Sequence, residues 1–194
     1  MSNITLGIIG GGQLGSMLAI AAKKLGIKII IFCDDLEAPA QNFCDEFIGA
    51  KYDDKEKINE FVNKVDIVTY EFENIPYETL NDINKLKPVL PKPSVNRLIQ
   101  HRLAEKDFVN KLNIRTTRYV SVENQSDIDV LEDFLPGIIK TTTLGYDGKG
   151  QHPISSAEEL KNLKLDLSRG YILEKLVKLK KEISIIITRF SNNK

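Results

Sequence analysis

The feature that most constrains the fold is a glycine-rich turn between a buried strand and a helix. Ile4–Ile9 is a compact β-branched run typical of a fully buried strand, and the turn Gly10–Gly15 (GGGQLG) follows it. Residues 16–25 then predict a helix that Gly26 ends, and Ile27–Cys33 predicts a second buried strand. Strands of this kind belong to parallel sheets covered by helices, so we expect an α/β fold.

The same turn satisfies the dinucleotide-binding fingerprint. Gly10, Gly12 and Gly15 have the Gly-x-Gly-x-x-Gly spacing between a strand and a helix, and the acid Asp34 lies about 20 residues further on. One interpretation of the chain is therefore an NAD(P)-binding Rossmann oxidoreductase. Taken alone, these first residues favour it.

A third predicted strand, Asp66–Tyr70, ends in the polar residues Glu71, Glu73 and Asn74. The carboxyl ends of parallel strands are where α/β sheets bind ligands, so these side chains can hold a small polar group, with Glu73 the better candidate. Helix capping is the alternative, with Asn74 as the N-cap and Pro76 just inside the helix. The two interpretations are compatible.

A second glycine-rich stretch, Lys140–Gln151, follows a short apolar run at residues 137–139 that predicts a buried strand. Its glycines allow a loop to fold backbone N–H groups around an anion, and its two lysines add positive charge, which suits nucleotide phosphates. An Asp-Gly pair within it is also a strong hairpin signal, so on its own the stretch leaves a phosphate loop and a hairpin tip equally open. The glycines are Gly145, Gly148 and Gly150, and the lysines are Lys140 and Lys149.

Two glutamates at strand boundaries follow this loop. Tyr171–Val177 predicts a strand that includes Glu174, and Glu182 opens a further β-branched strand, Ile183–Thr188. This order offers backbone groups at residues 175–177 for an adenine edge and the Glu182 carboxylate for ribose hydroxyls. It favours the nucleotide interpretation of the loop.

Together these two stretches resemble the ATP-grasp superfamily. Within it, residues 145–151 (GYDGKGQ) are similar to the loop of the N5-carboxyaminoimidazole ribonucleotide synthetases, the ATP-dependent carboxylases of purine biosynthesis. The turn at residues 11–15, the pair Pro39-Ala40 and the acids near residue 73 are similar to the same family, whose turn faces the imidazole ribonucleotide rather than NAD. Residues 102–106 resemble its Asp-Arg-x-x-x-Lys segment.

The resemblance implies roles for individual residues. Tyr146 and Lys149 are the expected catalytic residues and the contact to the substrate ribose phosphate, while Gln13 and Glu73 are expected to receive the imidazole end. Lys140 is expected to pair with ATP phosphate. The full set of expected ATP-binding residues is Arg102, Lys140, Gly145, Tyr146, Asp147, Gly148, Lys149, Gly150, Gln151, Glu174, Lys175, Leu176, Val177 and Glu182.

Four positions depart from the family pattern. His101 stands where the family usually has aspartate, Thr142 where a basic residue is common, and Leu144 where glycine is usual. Lys149 stands where many members carry arginine, so a compact ammonium charge replaces a guanidinium that can form two parallel hydrogen bonds.

The implied reaction is the ATP-dependent carboxylation of 5-aminoimidazole ribonucleotide with bicarbonate, a carbon–nitrogen ligase reaction that uses ATP and Mg²⁺. The resemblance extends from Ile4 to about Arg189, which is about half of a complete synthetase. We therefore expect an N-terminal half that is inactive alone, with the magnesium ligands in a missing C-terminal part and a homodimer in the full-length form. A non-catalytic nucleotide-binding fragment is a third interpretation.

The expected fold is a Rossmann-like pre-ATP-grasp domain with a parallel sheet over residues 1–93. An ATP-grasp lid subdomain with linker helices follows over residues 94–173, and residues 174–194 begin a truncated second subdomain. Prolines around Val89 suggest a last short strand before the first boundary. Further predicted elements are the helices Lys55–Val65, Ser94–Leu112, Ser126–Phe134 and Ser155–Leu163, the first residues of the last three being their expected caps, and the strand Thr116–Val120.

Composition excludes several classes of protein. The chain has 194 residues with 27 basic and 27 acidic side chains, so no net charge steers it toward nucleic acid or an anionic membrane. Basic residues do not cluster with aromatic ones, and no apolar run is long enough to cross a bilayer. The sequence starts directly in a strand without a signal-peptide pattern, and two cysteines are too few for a disulfide framework. We therefore expect a cytoplasmic protein without nucleic-acid or membrane partners.

Overall fold

The structure of the chain is a computed structural model that describes residues 4–124, 127, 131–145, 150–166 and 169–188. The chain divides into two units, residues 1–114 and residues 115–194.

The first unit is built on a four-stranded parallel sheet with the strand order β3-β2-β1-β4. The register places Ile9 beside Phe32 on one side and Tyr70 on the other, so the carboxyl ends of three strands meet at one edge of the sheet. The strands are β1 (Thr5–Ile9), β2 (Lys28–Cys33), β3 (Glu46–Gly49) and β4 (Ile67–Tyr70).

Helices cover both faces of this sheet, which explains why its strands are continuously apolar. Ile9, Ile30 and Phe32 pack in one core cluster with Phe61, whereas the alternate residues Ile8, Ile29 and Ile31 pack in another with Ala19 and Ala22. The helices are α1 (Gln13–Lys24), α2 (Lys55–Lys64), α3 (Tyr77–Asn84), α4 (Pro93–Ile99) and α5 (Arg102–Lys111), and Pro39–Phe43 is a 3-10 helix.

The second unit contains a four-stranded antiparallel sheet with the order β5-β8-β6-β7. One of its faces carries the core, in which Ile139 and Leu173 pack with Leu160. Its strands are β5 (Tyr119–Val122), β6 (Gly137–Thr141), β7 (Gln151–Ile154) and β8 (Tyr171–Lys175), its α-helix among the described residues is α6 (Ala157–Asn162), and Glu132–Phe134 is a 3-10 helix.

The predicted α/β fold with a parallel first sheet is confirmed, and most predicted elements are present within a few residues. Strand β3 was not predicted, because four residues at a sheet edge carry too little periodicity. The short strand expected around Val89 is reduced to one isolated bridge with Val68. In the part of the chain that the structure describes, no helix has the length and apolar character needed to span a membrane.

The single helix predicted over Ser94–Leu112 is wrong, since two helices, α4 and α5, occupy this segment. His101 interrupts it with an extended backbone (φ −119°, ψ 103°), and its Nδ1 atom accepts a hydrogen bond from the Ala104 N–H at 3.3 Å. The residue that departs from the family pattern therefore caps α5. At the start of α4 the N-cap is Lys92, and Ser94 already lies inside the helix.

Two other predicted caps are displaced. Helix α3 begins at Tyr77 with Pro76 as its N-cap, so Asn74 does not cap it. Helix α6 is capped one residue later than predicted: the Ser156 hydroxyl accepts the Glu159 N–H at 3.2 Å, and the Glu159 carboxylate accepts the Ser155 N–H at 2.7 Å.

The strand predicted over Ile183–Thr188 is not formed. Residues 181–188 have no regular secondary structure, and Ile186 is 94% exposed. A strand needs a neighbour for its backbone groups, and none of the described segments pairs with these residues. Of the predicted helix Ser126–Phe134, Ser126 lies outside the described residues, and the 3-10 turn is its described end.

Candidate functional site

Three of the predicted nucleotide-binding side chains lie on one face of the second sheet. The register pairs Lys140 with Gln151 on β7, and Glu174 with Ile138 on β6. Because side chains alternate along a strand, Lys140, Gln151 and Glu174 share the face opposite the core face that carries Ile139. His152, in contrast, pairs with Ile139 and lies on the core-side face.

Lys140 and Glu174 form an ion pair on this face. Lys140 Nζ lies 2.8 Å from Glu174 Oε2, and the two side chains are only 16% and 9% exposed. They are diagonal neighbours on β6 and β8, since Lys140 stands directly opposite Ile172. A buried charge requires such a partner, so the carboxylate holds the ammonium at a fixed position on the sheet.

The loop between β6 and β7 is a hairpin connection, as the alternative interpretation of the sequence expected. The Thr141 N–H donates to the Gly150 carbonyl at 3.0 Å and closes the loop at its base. Gly150 has a φ of +69°, and a Cβ at this position would lie 2.6 Å from Thr141 Oγ1, so only glycine fits. Gly145 is half-buried, and the predicted residues Tyr146, Asp147, Gly148 and Lys149 lie outside the described residues.

Two departures from the family pattern have structural consequences. Thr142 donates both its N–H (2.9 Å) and its hydroxyl (3.1 Å) to the Gly170 carbonyl, so a residue expected to be basic instead anchors the loop to the start of β8. Leu144 has a φ of +56°, in the left-handed region that favours the glycine usual at this position.

In the segment predicted to meet the adenine edge, residues 175–177, two backbone N–H groups already donate hydrogen bonds within the second unit. The Lys175 N–H donates to the Arg118 carbonyl and the Leu176 N–H to the Pro136 carbonyl, each at 2.9 Å. Val177 follows as a half-exposed residue. Two other expected nucleotide contacts belong to other elements: Glu182 is in the exposed irregular segment, and Arg102 is the first residue of α5 in the first unit.

In the first unit, the glycine turn at the carboxyl end of β1 contacts a carboxylate from the residue that follows β4. Glu71, which directly follows β4, accepts the Gly12 N–H at 2.9 Å through Oε1. Gln13, the predicted substrate contact, is the exposed first residue of α1. The sequence suggested Glu73 rather than Glu71 as the important acid, because the Glu71 contact joins residues 59 positions apart.

Glu73 is positioned by side chains that the sequence gave no reason to select. Gln100 Nε2 donates to the carbonyls of Glu73 and Ile75, each at 2.7 Å. The fully buried Asn96 on α4 donates to the same Ile75 carbonyl at 3.1 Å. The loop after β4 is therefore fixed through its backbone, which leaves the Glu73 carboxylate half-buried near the amide of Asn74 at 3.5 Å.

Two further observations bear on the chemistry. Tyr70, the last residue of β4, has a buried hydroxyl, and burial raises the pKa of this phenol. Within the described ranges, no group of three His, Cys, Asp or Glu side chains is arranged to hold a metal ion.

Comparison with known proteins gives consistent matches over both units. Residues 3–100 match the ribonucleotide synthetase preATP-grasp domain family, and residues 107–194 match the ATP-grasp domain family. The N5-carboxyaminoimidazole ribonucleotide synthase of Staphylococcus aureus strain COL is 38% identical in an alignment of 192 positions that covers 97% of this chain and 51% of that protein. A bifunctional purine synthesis protein of Dictyostelium discoideum is 36% identical over 95% of this chain and 19% of its own length.

Solved structures agree with these matches. The Staphylococcus aureus N5-carboxyaminoimidazole synthetase complexed with ADP aligns with a TM-score of 0.87 at 35% identity, covering 99% of this chain and 52% of that one. The N5-carboxyaminoimidazole ribonucleotide synthetase of Thermus thermophilus aligns with a TM-score of 0.80 at 32% identity, covering 90% of this chain and 48% of that one.

The chain spans about half the length of the curated relatives it matches. None of these relatives is a dinucleotide-dependent oxidoreductase, so the NAD(P) interpretation of the Gly10–Gly15 turn is not favoured. Because the preATP-grasp model matches just over half of its residues, the chain belongs to the ribonucleotide synthetase preATP-grasp domain family, and the ATP-grasp domain match covers most of the remainder.

Proposed function

We propose that this chain carries nucleotide- and substrate-binding parts of an ATP-dependent carboxylase. In the reaction, bicarbonate takes the γ-phosphoryl group of ATP, which gives carboxyphosphate and ADP. The amine of 5-aminoimidazole ribonucleotide then takes the carboxyl group, and phosphate leaves. The observation that carries the proposal is the common sheet face of Lys140, Gln151 and Glu174, opposite the core of the second unit.

The nucleotide contacts follow from this face. Lys140 is our candidate for a phosphate oxygen, because its ammonium is held at the sheet surface near the end of β6, where the glycine loop begins. The backbone of residues 145–150 covers the β and γ phosphates. Since the Lys175 and Leu176 N–H groups already donate internally, the Val177 N–H is our candidate for the adenine edge. Glu182 and Arg102 are assigned to the ribose and the phosphates by family resemblance alone.

The substrate contacts are proposed at both units. Gln13 and Glu73 receive the imidazole end, and the Gln100 hydrogen bonds to the Glu73 carbonyl support this by fixing the loop. Tyr146 and Lys149 contact the ribose phosphate. These groups align anions, neutralise developing charge and exclude water from a labile carboxylated intermediate, which are the tasks that such a reaction sets the protein.

Magnesium is the metal that nucleotide phosphates ordinarily require. The described residues do not form a metal cluster of their own, and we assign no step to the ion. A cytoplasmic location and a homodimer of the full-length protein remain predictions.

Isothermal titration calorimetry with ATP in the presence of Mg²⁺ tests the nucleotide site. We expect saturable binding of ATP, no competition by NADH, and at least a tenfold loss of affinity in Lys140→Met, since one charge-assisted phosphate contact disappears. His152→Ala is the matched control, because this side chain lies on the opposite face of the same sheet. Equal affinity of the Lys140→Met variant and the unchanged chain would contradict the assignment.

The carboxylation is tested in a protein that joins this chain to the remaining part of its Staphylococcus aureus relative, and the 194-residue chain alone, which we expect to be inactive, is the control. Phosphate release from ATP is measured with bicarbonate, with and without 5-aminoimidazole ribonucleotide. We expect release that depends on the ribonucleotide and falls in a Glu73→Ala variant. Release that is independent of the ribonucleotide would reject this substrate while leaving the nucleotide site intact.

A further inference from the structure

The glycine turn of the first unit is filled by a side chain of the protein itself. Glu71 Oε1 accepts the Gly12 N–H at 2.9 Å. A Cβ built on Gly10 would lie 2.7 Å from this oxygen and one on Gly12 would lie 3.2 Å from it, while one on Gly15 would lie 3.3 Å from Glu71 Cγ. Gly10 and Gly12 therefore make room for Glu71, whereas a Cβ on Gly15 would first meet the Gly10 carbonyl at 3.1 Å.

In a dinucleotide-binding domain this space and these backbone N–H groups belong to a pyrophosphate. Here the Gly12 N–H is already satisfied by an acidic side chain, and the volume beside Gly10 and Gly15 is taken. The main chain of this acid is fixed beside the turn, because the Glu71 N–H donates to the Ile9 carbonyl at 3.1 Å and extends the pairing of β4 with β1. A second anion would meet both a filled space and a like charge at short range.

We propose that Glu71 is a specificity-determining residue that closes the glycine turn to phosphate and pyrophosphate groups. A turn with the spacing of a nucleotide site is thereby made unavailable to nucleotides, so that ATP is bound only elsewhere. The inference goes beyond the proposed carboxylation and does not depend on it, because it uses only residues of the first unit.

The test is titration of inorganic pyrophosphate into the ¹⁵N-labelled chain, with the Gly12 amide resonance as the readout. In the unchanged chain we expect no saturable shift of this resonance. In Glu71→Ala the amide is free and the space is open, so we expect a saturable shift with an apparent affinity at least tenfold tighter. Glu78→Ala, at an exposed acid on α3, is the control for net charge and should behave as the unchanged chain.

Glu71→Gln keeps the shape and the acceptor for the Gly12 N–H but removes the charge, so it serves if Glu71→Ala fails to fold. We expect tighter binding than in the unchanged chain and weaker binding than in a folded Glu71→Ala. The proposal is overturned if pyrophosphate shifts the Gly12 amide of the unchanged chain saturably, or if the folded variants bind no more tightly than it does.

Discussion

Lys140 and Glu174 form a diagonal pair across β6 and β8, with the ammonium 2.8 Å from the carboxylate and little solvent access to either. Desolvation makes this ion pair important to both charges, because burying an ion costs several kcal/mol of solvation that a partner at hydrogen-bond distance helps to offset. The pair is thus both a support of the second sheet and the proposed source of positive charge for ATP.

The first prediction concerns the stability that this pair confers. Lys140→Met removes the ammonium that lies 2.8 Å from the buried Glu174 carboxylate, and we expect a loss of roughly 3 kcal/mol in the free energy of unfolding. The double variant Lys140→Met/Glu174→Leu should recover most of it, because two apolar side chains replace both charges. Urea unfolding measures both values. As a control, Lys85→Met removes one partner of the exposed pair with Asp82 and should leave stability unchanged. A double variant no more stable than the single one would contradict this account.

The second prediction concerns Leu144, which is 72% exposed and has a φ of +56°. Glycine at this position removes the steric cost of the left-handed backbone, partly offset by a more flexible unfolded chain. We expect Leu144→Gly to raise stability by roughly 0.5–1 kcal/mol.

Leu86→Gly is the matched control for Leu144→Gly. Leu86 is also exposed, but among the described non-glycine residues only Asn113 and Leu144 have a positive φ. We expect the control to lose about 0.5–1 kcal/mol, since glycine there adds only flexibility. The same sign of change at both positions in thermal unfolding would argue against backbone strain at Leu144.

The third prediction separates the observed cap of α6 from the one that the sequence suggested. Ser156→Ala removes the acceptor of the Glu159 N–H, and we expect a loss of about 1 kcal/mol. Ser155→Ala should cost much less, because Ser155 contributes its backbone N–H rather than its side chain to the cap. Chemical unfolding of the two variants side by side decides between them, and a larger loss at Ser155 would favour the original assignment.

The fourth prediction is a pH dependence at Asp45. The hydrogen bond from the Ile29 N–H at 2.8 Å, aided by Lys23 at 3.0 Å, lowers the pKa of this carboxyl in the folded chain. A folded-state pKa below the unfolded value of about 3.9 means that the ionised carboxyl stabilises the fold above that pH. The stabilisation is lost as the pH falls through the folded-state pKa.

Asp45→Asn should therefore be less stable than the unchanged chain at pH 7, and the difference should shrink below about pH 4. Urea unfolding at neutral pH and at two acidic values on either side of that point measures it. A difference that stays constant or grows toward the acidic end would show that the charge of Asp45 is not the cause.

Elements that depend on local pattern were predictable from the sequence. The β-branched runs of β1 and β2 and the intervening helix follow from periodicity, and the glycine loop after β6 follows from composition. Where the outcome depended on neighbours distant in sequence, prediction failed. The strand expected at residues 183–188 lacks a partner among the described segments. The break at His101 was missed for a different reason: its cap is local, but histidine is not among the residues preferred as N-caps.

For the candidate site, too, residue types were predictable from the sequence and long-range contacts were not. The residue types of Lys140 and Glu174 marked them as candidates. Their position on a common face follows from the strand register, which cannot be read from the sequence directly. The roles of Glu71 and Gln100 required contacts between residues that lie 59 and 27 positions apart from their partners. No local spacing encodes such contacts, so the fingerprint glycines suggested a pyrophosphate where the protein places its own acid.

The contact between Glu71 and Gly12 also makes the stability of the first sheet sensitive to the register of β4. Tyr70 pairs with Ile9 at the end of β4, so the following residue is delivered to the start of α1 only in this register. A shift of one position would present Tyr70 or Phe72 there, which would leave the Gly12 N–H without its carboxylate acceptor and turn the Glu71 side chain to the other face of the sheet. The contact at the glycine turn thus favours the native register of β4 over registers shifted by one residue during folding.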